Sequence, residues 1–99
     1  MNEYIILHCI HNKDSRDFVE KYGTKTDVIV LIDDGNEVRK RFPYISAFPT
    51  VIIPTPEYTK TDNDGNLITI NSDIEYIRMP SSWEEVENRI NYWKKYINK

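Results

Sequence analysis

Two stretches of nearly unbroken apolar residues, Tyr4 to Ile10 and Asp27 to Ile32, dominate the first third of the chain. Continuous apolar character over so few residues marks a strand covered on both faces, so both are read as buried strands. Between them, Asp14 and Ser15 offer a helix N-cap, and Phe18, Val19 and Tyr22 fall on one helical face. Gly23 supplies a left-handed terminator. After the second strand, Asp34 and Glu37 stand in capping-box spacing. Val38 and Phe42 face a short helix inward, and Pro43 stops it. Strand, helix, strand, helix predicts a parallel βαβ unit with a right-handed crossover.

The rhythm then changes. Thr50 to Ile53 reads as a third strand interrupted by Pro54 and Pro56, and Asp62-Asn-Asp-Gly-Asn66 is a strong turn signal. Leu67 to Ile70 and Ile74 to Met79 read as strand again. Counting outward from Asp64 sets Ile53 opposite Glu75 and Val51 opposite Ile77, so one long antiparallel hairpin fits both arms. The prolines remove ladder donors, and the distal part, residues 54–73, is expected to project beyond the sheet. The last segment is the clearest helix. Ser82 and Glu85 form a capping box, while glutamates crowd the first turn and lysines the last, as the helix dipole favours. Trp83, Val86, Ile90, Trp93 and Ile97 make one apolar stripe.

Length and charge narrow the class. At 99 residues the chain is one domain, with 39% hydrophobic and 29% charged residues, ordinary values for a folded globular protein. A net charge of −3 and no long basic block give nucleic-acid binding little support. No apolar run reaches the ~20 residues of a membrane-spanning helix. Glu3 ahead of the first apolar run, and polar residues after it, argue against a secretory leader. A single cysteine, Cys9, forms no internal disulfide, which points to a reducing cytoplasmic setting. Abundant Ile, Asn, Lys and Tyr, with Ala47 the only alanine, fit an AT-rich bacterial or viral coding sequence.

In element order, and in Ile45-Ser-Ala-Phe-Pro-Thr50, the chain resembles the thioredoxin-like and glutaredoxin-like fold superfamily. That family carries Ile, two residues, an apolar residue, cis-proline and threonine ahead of its third core strand. The resemblance implies an α/β fold: a three-layer α/β/α sandwich of order β-α-β-α-β-β-α, with a mixed sheet and here a projecting β-hairpin. It also implies a cis Phe48–Pro49 bond, with the Phe48 backbone facing the tip of the first helix and free to pair with an extended peptide or glutathione. An X-Pro bond is cis only about one time in twenty, so the resemblance carries that expectation. A trans proline opening a strand is the plain alternative.

The family's Cys-x-x-Cys window falls on His11-Asn-Lys-Asp-Ser-Arg16, as Asn12 to Ser15 or Lys13 to Arg16, and contains no sulfur. Thiol–disulfide exchange needs a thiolate and a second sulfur, so the family's redox activity is not carried over. The resemblance leaves Phe48, Pro49 and Thr50, with His11, Asn12, Lys13, Asp14 and Ser15 at the helix tip, as the candidate binding surface.

Other chemistry competes with plainer readings. Cys9, on a strand with Leu7 and His11 on its face, reads as a buried inert hydrophobe. His8, Cys9 and His11 hint at a metal site, but a structural zinc wants four ligands and no other Cys or His follows. His11 as a general base has no partner fixed by spacing. The calcium-loop pattern would put Lys60 and Asn71 at ligand positions, so Asp62 to Asn66 is a turn. Asp33 and Asp34 read as a strand end and helix cap, and the Ser15 and Ser82 hydroxyls as caps. Lys13 and Arg16 at the helix N-terminus suit an anion, which Asp14 and Asp17 oppose. Tyr58, Tyr92 and Tyr96 serve equally as interface or as edge cover.

No catalytic residue, metal or cofactor is assigned. The expected function is a redox-inactive protein-interaction or assembly module whose partner is a protein or peptide, with self-association a further option. The alternatives are a glutathione- or thiol-binding enzyme using the Phe48 slot, and a structural component of a viral particle.

Overall fold

The structure, a computed structural model, describes residues 3–33 and 37–97. Asp34, half of the second expected cap, lies outside the described residues, as does the Ile97 side chain. In chain order the elements are β1 (Tyr4–His8), α1 (Lys13–Tyr22), β2 (Val28–Ile32), α2 (Glu37–Arg41), β3 (Thr50–Thr55), β4 (Tyr58–Thr61), β5 (Leu67–Ile70), β6 (Asp73–Arg78) and α3 (Trp83–Ile97). A four-stranded mixed sheet runs β2-β1-β3-β6, and β4 and β5 form a separate two-stranded sheet. β1 is parallel to β2 and antiparallel to β3, which is antiparallel to β6.

Strand alternation explains why helices cover both faces. Tyr4, Ile6, Val51 and Ile53 point to one side, where Phe18 of α1 and Trp83, Val86 and Ile90 of α3 close over them. Ile5, Leu7 and Ile52 point to the other, against Val38 of α2 and Phe42. The central strands β1 and β3 are thus buried on both faces, as near-continuous apolar runs require. β2 is different. It is an edge strand with Ile29 40% and Ile32 49% exposed, so its apolar run overstates its burial.

The pairings Val51–Ile77 and Ile53–Glu75 match the register counted outward from the turn. In place of one long hairpin, the arms split at Pro56 and at Asn71–Ser72, so the order is β-α-β-α-β-β-β-β-α. The distal turn is held by Asp62, whose carboxylate accepts from the Asp64 and Asn66 amides, with Gly65 at φ 83°. The Met79 amide donates to the Pro49 carbonyl at 2.8 Å, which fixes the parity of the ladder: odd residues of β6 bond β3. The missing N–H of Pro54 therefore falls on the side away from β6 and costs that ladder nothing. Molecular extents of 49 × 26 × 22 Å and a radius of gyration of 15.2 Å reflect the hairpin; a compact chain of this length would have about 13 Å. The hairpin base still folds back, with the Tyr58 ring 4.6 Å from Tyr96 and 5.8 Å from Trp93 between centroids.

α3 is tied to β6 by a charged clamp. Arg89 donates to both Glu75 carboxylate oxygens, at 2.9 and 2.5 Å, and the Trp93 indole adds a bond at 3.2 Å. Burial alone would push the Glu75 carboxyl up, but these donors outweigh it and hold it below its ordinary value. At the start of α3 the Ser81 hydroxyl, rather than Ser82, reaches the Glu85 carboxylate.

Gly23 ends α1 with φ −69°, a right-handed conformation open to any residue, so the expected left-handed cap is not its reason. A Cβ there would stand 2.7 Å from the Val19 carbonyl oxygen, 2.9 Å from a Val19 methyl and 3.3 Å from a Val30 methyl. The glycine lets α1 close onto β2. Gly23→Ala is expected to destabilise the fold by about 1–3 kcal/mol, measured by denaturant unfolding, as overpacking does.

Candidate functional site

β1 ends at His8, and the chain turns at Cys9 instead of extending to Ile10. Asn12 is the N-cap of α1: its side-chain oxygen accepts from the Ser15 amide at 3.0 Å. That frees Ser15, expected as a cap, for another task. Its side chain is fully buried, its Oγ accepts from the Cys9 amide at 3.0 Å, and it lies 2.7 Å from His8 Nδ1. One hydroxyl hydrogen is left to give, and it goes to His8.

His8 is itself 8% exposed, and burial, then the nearby Arg16 charge, lower its pKa from the ordinary imidazole value. A neutral ring with its proton on Nε2 leaves Nδ1 free to accept from Ser15. A serine beside a histidine invites a nucleophile reading, but a nucleophile must reach its substrate, and Ser15 Oγ has no access. The pair is a joint between strand end and helix start.

The other tip residues are spent locally or open to water. Lys13 pairs with Asp17 at 2.7 Å, and Arg16 donates to the Ile10 carbonyl at 2.9 Å. Lys13 is thereby neutralised, whereas Arg16, bonded to a neutral carbonyl, keeps its charge and has no carboxylate partner among the described residues. His11 is exposed, and because β1 stops short it does not share a strand face with Cys9. Cys9 is half-buried and makes no disulfide, in place of the full burial expected. Asp33 donates its amide to the His8 carbonyl and accepts from Arg39 at 3.1 Å. No group of three or more His, Cys, Asp or Glu side chains is placed to hold a metal ion among the described residues.

The Phe48–Pro49 bond is cis. Thr50 is buried, and its hydroxyl donates to the Ala47 carbonyl at 2.7 Å, closing the loop ahead of β3. Phe48 is half-buried under the Arg39 guanidinium, 5.8 Å from its ring centre. Neither its amide nor its carbonyl has a hydrogen-bond partner among the described residues. Pro49 meets α1 across a cleft of about 330 Å³ walled by Asp14, Asp17 and Phe18 on one side and Met79, Pro80 and Ser81 on the other.

Of the eight expected site residues, the structure brings Asp14 and Pro49 together in this cleft. Phe48 and Thr50 flank Pro49 in the chain, whereas His11, Asn12, Lys13 and Ser15 do not line it. The Met79–Ser81 wall was missed from the sequence. Met79, exposed and at φ 48°, is in the left-handed region that non-glycine residues seldom occupy. Its place between a strand and Pro80 was the available signal. With the geometry in view, comparison with protein-family models, curated proteins and solved structures finds no match for this chain.

Two outcomes test the joint. Ser15→Ala strands the Cys9 amide and the His8 ring, and is expected to cost about 1–3 kcal/mol by denaturant unfolding. Because the folded state disfavours protonated His8, the unfolded chain binds that proton more readily. Stability therefore falls as pH drops through the unfolded histidine value of about 6.5. That component disappears from the unfolding profile of His8→Gln.

Proposed function

We propose that this chain is a redox-inactive, thioredoxin-like interaction module that seats an extended segment of a partner protein in the cleft between α1 and Pro49. The observation that carries the reading is the unpaired Phe48 backbone, one residue ahead of Pro49 in the cleft wall. A free amide and carbonyl next to Pro49 in the chain offer an extended segment the pairing by which strand addition works. Support for the scaffold comes from the strand order β2-β1-β3-β6, from α1 and α3 on one face with α2 on the other, and from Pro49 just ahead of β3.

In this reading Asn12 to Ser15 is the register of the Cys-x-x-Cys window. A capping asparagine and a buried serine hydroxyl stand where sulfur would be needed. Neither forms a mixed disulfide. Asp17 in the wall is paired with Lys13 and Lys21 lines the same cleft, so the Asp14 carboxylate, which has no ion-pair partner among the described residues, is the group that opposes the two carboxylates of glutathione. The same Asp14 carboxylate favours a segment bearing lysine or arginine.

The test is an amide NMR titration with two short extended peptides, identical but for lysines in one and glutamates in the other. The lysine peptide is expected to shift Phe48 and Met79, and Asp14→Lys to weaken it about fivefold, the worth of ~1 kcal/mol. Insulin reduction in the presence of dithiothreitol is expected to run at the buffer rate. Silence at millimolar lysine peptide, or disulfide turnover above buffer, overturns the proposal.

A further inference from the structure

The sheet has a second place where a strand can be added, on the opposite side of β6 from β3. β6 is an edge strand, and with its odd residues bonding β3, Ile74, Tyr76 and Arg78 turn their N–H and C=O groups outward. None of these outward groups has a partner among the described residues. Natural edges are blunted by proline, charged side chains (lysine above all), bulges or a covering element; of the charges on β6, Glu75 is paired with Arg89, which leaves Asp73 and Arg78 at its two ends. β6 contains neither proline nor lysine, and its pairing with β3 runs without a bulge from Asp73 to Arg78.

A groove of about 700 Å³ follows this edge, with Trp93 and Tyr58 at one wall and Arg41 and Tyr44 at the other.

Charge selects what fits. Arg78 is exposed but held: its Nε donates to the Ser46 hydroxyl at 2.9 Å and its Nη2 to the Tyr44 carbonyl at 3.1 Å. Its guanidinium lies 5.7 Å from the Tyr76 ring centre. No carboxylate among the described residues pairs with Arg78 or Arg41. A fixed guanidinium without an anion, with a second one lining the same groove, is a receptor for a carboxylate. At the far end of β6 the exposed Asp73 presents the opposite sign, whereas Glu75 between them is already neutralised by Arg89. Between the two charged ends, Ile74 is 40% exposed and Tyr76 half-buried on one face.

We infer that the free edge of β6 binds an extended segment of a partner protein antiparallel to it, with an acidic residue opposite Arg78, apolar residues opposite Tyr76 and Ile74, and a basic residue opposite Asp73. Reading from the Arg78 end, the segment is acidic, any, apolar, any, apolar, basic. The backbone supplies affinity and the cross-strand pairs supply register. This surface is separate from the α1–Pro49 cleft and does not depend on it. Its charge preference at the leading position is the reverse.

The experiment titrates the full chain with the capped peptide Glu-Thr-Val-Thr-Val-Lys, followed by amide NMR. Its controls are Lys-Thr-Val-Thr-Val-Glu, of identical composition, and the first peptide N-methylated on alternate amides. Binding is expected to shift the Ile74, Tyr76 and Arg78 amides and slow their solvent exchange, with Phe48 unmoved. The charge-swapped peptide and Arg78→Glu are each expected to weaken binding about fivefold or more, and N-methylation on the pairing amides to abolish it. Because the peptide controls leave the protein untouched, a folding defect in the variant does not spoil the test. No binding at millimolar peptide, equal or tighter binding of the swapped peptide, or shifts centred on Phe48 overturns the inference. So does concentration-dependent shifting of β6 without peptide, which would give the edge to a second copy of the chain.

Discussion

One buried hydroxyl sets the geometry at the point where the first strand becomes the first helix. Ser15 Oγ takes the Cys9 amide and gives its hydrogen to His8, so the end of β1, the turn and the first turn of α1 form one hydrogen-bonded unit. Asn12 completes it by capping the helix from outside. Buried polar groups are costly unless paired, and here three groups that would otherwise be orphaned satisfy one another. The position of the α1 tip follows from this unit, and with it the α1 wall of the cleft that faces Pro49.

The same unit decides what chemistry the tip is denied. Nucleophilic catalysis needs an exposed, activated nucleophile. Ser15 is wholly enclosed, Lys13 is paired with Asp17, and Cys9 sits before the helix rather than at its start. What stays open is backbone: the unpaired peptide groups of Phe48 at one place and the outer side of β6 at another. Groups of that kind can pair with extended chains, which is the basis of the two binding proposals made for these openings.

Much of the scaffold was legible because apolar spacing is a direct consequence of burial. Phe18, Val38, Val86 and Ile90 were placed inside from periodicity alone, and the Asp62–Asn66 turn fixed the β3–β6 register. Burial of β2 was overread, because an apolar run records side-chain type and not position in the sheet; Ile29 and Ile32 are exposed at an edge. The role of Ser15 was misread for a related reason. Serine near a helix start is usually a cap, and only the fold shows that Asn12 already fills that place. Gly23 was assigned a backbone conformation when its cause is the closeness of Val19 and Val30, which no local pattern encodes. The cleft was half legible. Pro49 and Asp14 were named in advance, but Met79 reaches Pro49 only through the sheet.

The central claim is that the helix tip is locked to the strand by Ser15, and native-state amide exchange at Cys9 tests it most directly. The account predicts that the Cys9 amide exchanges only through global unfolding, as slowly as Ile6 in the centre of β1, although Cys9 itself lies outside any strand. Exchange at Cys9 through local opening, as fast as at exposed turn residues such as Asn63, would contradict it.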